Sequence, residues 1–236
     1  GFIGRNLLLR LLQDPQYKSI YVSVRNLEKL RAQFLGDGFG KIPDKIIPFF
    51  STSKDWSIPE PELVDDLVHC AGSLFARDYR EFRETNVQGT LRLLRSFPKL
   101  RRAVIFSSQA ASGPCIEGQE IKNELDVESP ITHYGNSKLE MEKEVEKAFS
   151  HFPIVFLRPP MVLGPRDKAS LPLFKLAKSI VRPKPGVKPK FYSFVSVTDL
   201  VNAVVQVLKS ENAPAGVASY FVASSDVISD KELIQT

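Results

Sequence analysis

A tyrosine and a lysine stand four residues apart in Tyr134-Gly135-Asn136-Ser137-Lys138. On a helix that spacing puts both on one face, one turn from each other. A phenol titrates near ~10 and exchanges protons poorly at neutral pH. An ammonium beside it favours the phenolate and lowers that value, which moves Tyr134 toward acid–base work. Alone, the pattern equally fits a surface tyrosine beside a solvated lysine. Other polar groups recur where apolar runs end: His69 within Leu67–Ala71, Ser107-Ser108 after Ala103–Phe106, and Arg158-Pro159 after Ile154–Leu157. Ligands of open parallel sheets gather at the carboxyl ends of strands. The joint placement therefore carries more weight than any one residue.

Strands and helices must alternate to bring those ends together. Ile3, Leu7, Leu8, Leu11 and Leu12 recur at helical spacing over residues 2–13. Ile20–Val24 reads as a short strand, Asn26–Phe34 as a helix and Lys45–Phe50 as a strand. Leu67–Ala71 is a buried strand, and Tyr79–Ser96 a helix containing Asn86-Val87-Gln88-Gly89-Thr90. The helix carrying Tyr134 and Lys138 runs to about Phe149. Helices at Leu171–Val181 and Thr198–Lys209, the latter capped by Thr198 or Asp199, and a short strand at Tyr220–Ala223 complete the pattern. The alternation predicts an α/β fold around a doubly wound parallel sheet.

The 236 residues are 43% hydrophobic and 25% charged, enough for a sizeable globular core. No apolar run approaches the ~20 residues of a membrane span, and no secretory segment opens the chain. A cytoplasmic protein is expected. Cys70 and Cys115 are too few for a disulfide framework, and His69, His133 and His151 form no metal-binding pair. No metal site is expected. Net charge is +5. Lys178, Arg182, Lys184, Lys188 and Lys190 lie in one Pro-rich run without an acid. That run is either a solvated loop or a basic lip over an anion such as a phosphate. No nucleic-acid motif accompanies the charge, so nucleic acid is not expected as a partner.

The chain resembles the extended short-chain dehydrogenase/reductase family, the NAD-dependent epimerase/dehydratase and 3β-hydroxysteroid dehydrogenase-like proteins. The resemblance rests on Gly1-Phe2-Ile3-Gly4, Val68–Gly72, Asn86–Thr90, Val104–Pro114, Tyr134–Lys138 and Arg158–Pro165, in the family's order. It implies a Rossmann-type dinucleotide-binding domain over residues 1–160. Residues 161–236 would form most of a substrate domain, with 191–210 returning to the Rossmann core. By resemblance, Tyr134 exchanges a proton with a carbonyl or hydroxyl oxygen. Lys138 lowers its pKa and binds the nicotinamide ribose, and Ser108 steadies the same oxygen. Asn86 either supports a proton relay or stabilises a helix kink. Gly1, Phe2, Ile3, Gly4, Arg25, His69, Ala71, Gly72, Lys138, Pro159, Pro160 and Met161 would contact the cofactor.

Gly1 and Gly4 match the later positions of a G-x-x-G-x-x-G fingerprint, whose preceding strand is central in the sheet. The chain is therefore expected to be a fragment lacking roughly ten residues. A slot of ~9–10 Å, two inter-strand spacings, is expected between Ile20–Val24 and Leu67–Ala71. Thr236 also reads as an early end.

Gln109-Ala110 stand where 4,6-dehydratases of the family carry an Asp-Glu pair, which argues against dehydration. Ser196 replaces a histidine frequent in the family. Val24-Arg25-Asn26 offers no acid for a ribose diol, and Arg25 suits a 2′-phosphate. NADP is the expected cofactor, with NAD the alternative and a solvent-facing Arg25 the bland reading. The leading expectation is an NAD(P)-dependent oxidoreductase acting on a secondary alcohol or ketone. A nucleotide-sugar epimerase with tightly bound NAD, or a cofactor-binding sensor or assembly factor without turnover, are the alternatives. The partner is a small-molecule substrate, and a homodimer is admitted.

Overall fold

The computed structural model describes residues 1–172, 191–212, 214–229 and 232. Helix α1 (Phe2–Leu12) is followed by β1 (Ile20–Val24), α2 (Leu27–Gly36) and β2 (Ile46–Phe50). Strand β3 (Asp66–His69) leads to α3 (Tyr79–Phe82), a π-helical turn (Arg83–Gln88) and α4 (Gly89–Arg95). Then come β4 (Arg102–Phe106), α5 (Gln109–Ser112), α6 (His133–Phe149), β5 (Ile154–Arg158) and β6 (Met161–Leu163). Strand β7 (Phe191–Ser196), α7 (Val197–Lys209), β8 (Val217–Phe221) and β9 (Val227–Ser229) complete the described elements.

Four strands form an all-parallel sheet in the order β3-β4-β5-β8. Every residue of β4 and β5 is buried, as expected for parallel strands covered on both faces. Their side chains alternate between two cores. Ala103, Ile105, Ile154 and Phe156 pack with Leu91, Leu94, Met141 and Val145 of α4 and α6. Val104, Phe106, Val155 and Leu157 pack with Leu7 and Leu11 of α1 and Leu200, Val204 and Leu208 of α7.

Strands β1 and β2 pair in parallel as a separate sheet, which shares a third core with α1 and α2 through Leu8, Val24, Leu30, Phe34 and Ile46. Strands β1 and β3 do not pair with each other. Both reach α1 all the same, because Ile20 and Val68 pack on the cluster that holds Leu7 and Leu11. A third sheet joins β6, β7 and β9.

Most expected elements stand within a residue or two of their predicted bounds. Four details differ. The strand expected at Tyr220–Ala223 runs from Val217 to Phe221, where it pairs with β5 from Ile154 to Arg158. Strand β3 ends at His69, and the residues up to Gly72 leave the ladder. Helix α7 is capped by Ser196 rather than Thr198 or Asp199. The Ser196 Oγ accepts from the Asp199 N–H at 3.0 Å and donates to Asp199 Oδ2 at 2.7 Å, because a cap must precede the first helical turn it serves. The predicted Tyr79–Ser96 helix contains the π turn. Of the helix expected at Leu171–Val181, only the first two residues are described. The basic run from Lys178 to Lys190 lies outside the described residues. Among the described residues, no helix is long and apolar enough to cross a membrane, and no group of three His, Cys, Asp or Glu could hold a metal ion.

Candidate active site and dinucleotide cleft

Ser108 leaves the end of β4 and caps α5, its Oγ accepting from the Ala110 N–H at 3.2 Å. Thr132 caps α6, accepting from Gly135 N–H at 3.0 Å, so Tyr134 lies in the helix's first turn. Gly113 and Gly135 let these two turns meet. A Cβ on Gly135 would lie 2.3 Å from the Ala110 carbonyl oxygen. Gly113, at φ +77°, passes so close to Ser129 that its Cβ would lie 2.0 Å from that carbonyl oxygen. The Tyr134 phenol is thereby brought next to the Ser108 hydroxyl.

The charge state of the pair differs from the sequence-based expectation. Burial raises the Tyr134 pKa above the usual phenol value, and it is the neighbouring Ser108 hydroxyl that pulls it back. The Lys138 ammonium instead donates to the Phe106 carbonyl at 2.8 Å, at the end of β4. Four-residue spacing aligns two Cβ atoms, but it does not decide where a four-carbon side chain ends. A buried ammonium goes to the nearest acceptor. Burial pushes Lys138 down to about 8, against Glu142 and then Cys70, which raise it.

Asn86 lies within the π turn, where one extra residue per turn rotates its amide inward. Its Oδ1 accepts from Ser73 N–H at 2.7 Å, while Nδ2 donates to Ser73 O at 3.1 Å and Ser137 Oγ at 3.0 Å. Ser137 in turn donates to the Tyr134 carbonyl at 2.7 Å. Asn86 thus couples the loop after β3 to the turn of α6 that carries Tyr134. Of the two readings weighed from sequence, this geometry is that of an amide stabilising a kinked turn.

The His69 ring is engaged elsewhere. Its Nε2 meets the Thr90 hydroxyl at 3.1 Å, and Trp56 packs edge-on against it. Thr90 Oγ1 donates to Asn86 O at 2.7 Å, which leaves it to accept from His69 and assigns the Nε2–H tautomer. Burial drives the imidazole pKa down to about 3, so the ring is neutral. Strand alternation sends this side chain toward α4.

The remaining predicted cofactor residues fall around the same edge. Ala71 and Gly72 are exposed beyond β3. A Cβ on Gly72 would lie 3.1 Å from Lys138 Nζ and 3.2 Å from Asn86 Oδ1, so glycine keeps both atoms approachable. Pro159 is buried, and its carbonyl accepts from Gln109 N–H at 2.9 Å, joining the residues after β5 to the Ser108 turn. Pro160 and Met161 are half-buried beside it. Gly1 caps α1 without a side-chain partner, and the first intrahelical bond is Arg5 N–H to Gly1 O at 3.0 Å. The N–H groups of Phe2, Ile3 and Gly4 are thus free of intrahelical partners, as an anion site requires. Arg25 and Lys29 are close enough for their charges to act at this amino end. Arg25 is exposed, has no ion-pair partner among the described residues, and lines a cavity of about 390 Å³ with Val24, Phe50, Ser51, Thr52 and Asp55. A helix amino end, a glycine-edged cleft and a cavity lined by Arg25 lie along one edge.

Sequence reasoning passed over Glu142 and Glu128. Arg158 closes an apolar strand with its side chain turned inward, and it is 2% exposed. A buried guanidinium demands counter-charges, and that demand was the available signal.

Among curated proteins, the protein y4nL of Sinorhizobium fredii is 32% identical over 113 residues, covering 46% of this chain. This chain spans about a third of that relative, 32% of its length. The uncharacterized UDP-glucose epimerase YtcB of Bacillus subtilis is 27% identical over 236 residues, 88% of this chain and 70% of that protein. Among solved structures, the UDP-glucuronic acid 4-epimerase from Bacillus cereus, in complex with UDP-glucuronic acid and NAD, superimposes with a TM-score of 0.77 at 20% identity. That likeness covers 98% of this chain and 77% of the other, and it is a likeness of fold. The profile of the NAD dependent epimerase/dehydratase family matches residues 1–222, and the chain belongs to that family.

Proposed function

We propose that this chain carries the nicotinamide-dinucleotide site and the acid–base pair of an oxidoreductase acting on a secondary alcohol or ketone. The observation that carries the reading is the juxtaposition of the Tyr134 and Ser108 hydroxyls at the carboxyl edge of the sheet, beside Lys138. When bound, the dinucleotide supplies or accepts the hydride. The protein supplies position and protons. Tyr134, kept protonated at neutral pH by burial, is an acid ready to donate to a carbonyl oxygen as that oxygen gains negative charge. The Ser108 hydroxyl stands beside it to share that charge. Lys138 adds a fixed positive charge at the end of β4. Asn86 holds the loop after β3 against α6, so that the cleft keeps its shape.

Arg25 favours NADP, because a guanidinium without an ion-pair partner among the described residues suits a 2′-phosphate better than a ribose diol. The printed names of YtcB and of the Bacillus cereus structure favour a second reading, a nucleotide-sugar epimerase using NAD. The two differ in what the protein retains. An epimerase keeps its dinucleotide through gel filtration, and a dehydrogenase exchanges it.

Fluorescence titration with NADPH and NADH, followed by turnover on a panel of secondary alcohols, ketones and UDP-hexoses, tests the proposal. The Tyr134→Phe variant should bind the nucleotide as the wild type does and lose ~10²–10⁴-fold in turnover. Turnover within a factor of two of wild type would remove Tyr134 from the mechanism, and a protein that binds neither nucleotide would remove the site.

A further inference from the structure

Arg158 is the last residue of β5, and its side chain is buried. A guanidinium stays charged, so burying it requires acceptors around it. Two acids supply them, from either side of Tyr134 in the chain. On the helix side, Nε donates to Glu142 Oε1 at 3.0 Å and Nη2 to Glu142 Oε2 at 2.5 Å, a fork that fixes angle as well as distance. Glu142 lies eight residues after Tyr134, about 12 Å along the same side of α6. On the loop side, the same Nη2 donates to Glu128 Oε1 at 3.2 Å. Glu128 lies four residues before Thr132, the cap of α6. Its neighbour Ser129 is tied to the end of α5, N–H to Ser112 O at 2.9 Å. The residue after Arg158 holds the other partner, since the Pro159 carbonyl accepts from Gln109 N–H directly after Ser108. Arg158 and Pro159 thus refer the turns that carry both hydroxyls to one strand end. The guanidinium also lies over the Phe221 ring of β8, 5.8 Å from its centroid.

We propose that Arg158 is a positioning residue of the Ser108–Tyr134 pair: it holds α6 and the loop before it, on either side of Tyr134, against the strand end that also holds Ser108. The inference rests on the reading of the site given above. Without the clamp, α6 keeps its packing on Ala103, Ile105, Ile154 and Phe156 through Met141 and Val145. Those contacts are apolar and non-directional, and they tolerate a slide that a forked hydrogen bond does not. The chain therefore keeps its fold when the clamp is lost, and what shifts is Tyr134 against Ser108. This is what separates positioning from bracing.

Removing Arg158 alone would strand its acids, so the clamp is replaced as a unit. Arg158→Met/Glu142→Leu exchanges a buried ion pair for apolar side chains of similar size, and its melting temperature should change little. This variant should bind NADPH as the wild type does, keep its KM for the best substrate of the panel, and lose ~10²-fold in kcat, the effect of a displacement near 1 Å. A brace of the fold would recover kcat along with stability, so a kcat within about twofold of wild type overturns the proposal. Where the double variant fails to fold by circular dichroism, Arg158→Lys keeps a cation but cannot fork onto Glu142 and reach Glu128 at once. It should lose ~10-fold or more in kcat with KM kept, and an unchanged kcat overturns the proposal. A second measurement needs no turnover. With 3-fluorotyrosine incorporated and the Tyr134 signal assigned through Tyr134→Phe, ¹⁹F NMR reports this ring. Ser108→Ala should move the signal in the otherwise native protein and leave it in place in the clamp variant that folds, where the two hydroxyls no longer adjoin. Any other pattern overturns the proposal. The expected pattern without turnover of any alcohol or ketone of the panel would sink the oxidoreductase reading and leave the positioning role of Arg158 standing.

Discussion

Replacing Gly135 with alanine would place one methyl group where α5 meets α6. The new Cβ would lie 2.3 Å from the Ala110 carbonyl oxygen and 3.0 Å from its carbon, against 3.4 Å for ordinary contact, so the two turns must part by about 1 Å. Neither side yields easily. Ala110 is held by the Ser108 cap, and Gly113 is wedged against Ser129. Two effects oppose each other. Alanine gains at most ~1 kcal/mol over glycine in helix propensity. Overpacking against backbone costs ~1–3 kcal/mol, and a contact this short belongs at the upper end. Overpacking wins by about 1–2 kcal/mol, and at ~2–4 °C per kcal/mol for a domain of this size the melting temperature falls by about 2–8 °C. The functional loss is larger than the stability loss. Parting the turns by about 1 Å pulls the Tyr134 hydroxyl from Ser108, and displacements of that size cost ~10²-fold in rate. Scanning fluorimetry and turnover on the best substrate of the panel measure the two effects. Gly40→Ala is the control, since its Cβ meets nothing within 4 Å. A Gly135→Ala protein that melts within ~1 °C of the control and turns over at the wild-type rate would show that close approach of α5 and α6 does not set the site.

Arg25→Glu should reverse the nucleotide preference, lowering NADPH affinity relative to NADH by ~10–100-fold, the worth of a charged hydrogen-bonded contact. Fluorescence titration measures the ratio, and a ratio changed by less than ~2-fold would return Arg25 to the solvent. His69 should govern part of the acid sensitivity. Its folded pKa is depressed to about 3 from 6.5, so the unfolded chain binds the extra proton first, and stability present above about 6.5 is lost as pH falls toward 3. His69→Gln should flatten that fall, read as urea midpoints between pH 7 and pH 4; an unchanged pH slope would mean the ring is not neutral in the folded protein.

The fold was legible wherever apolar periodicity acts alone. Ile20–Val24 stands as predicted, and α1 starts and ends within a residue of its apolar stripe, because burial of one face decides both. The π turn was not legible from a helical pattern of constant period, since period 3.6 tolerates one inserted residue. The trace is there in retrospect: Phe82 and Val87 are both buried five residues apart, one more than an α-helical turn of contacts allows. That insertion is what turns Asn86 toward Ser73 and Ser137. Strand β3 was read two residues too long, because apolarity at Cys70 and Ala71 says nothing about whether β4 still offers a partner. The register does: β4 pairs with β3 only up to His69 and Ile105.

The candidate site was legible to the extent that residue type and spacing fix a role. Ser108 and Tyr134 needed only to be brought together, and the glycines at 113 and 135, visible in the sequence, allow it. The partner of Lys138 was not legible. Spacing set Lys138 beside Tyr134 along the helix, but the ammonium's partners are the Phe106 carbonyl, 32 residues upstream, and the field of Glu142. Glu142 is fixed in its turn by Arg158 across the sheet. A buried charge is settled by whichever acceptor the fold brings nearest, so its energetics belong to tertiary structure. This is why helical spacing alone misjudges which group lowers the tyrosine's pKa: the neighbouring Ser108 hydroxyl, and not Lys138 through its charge.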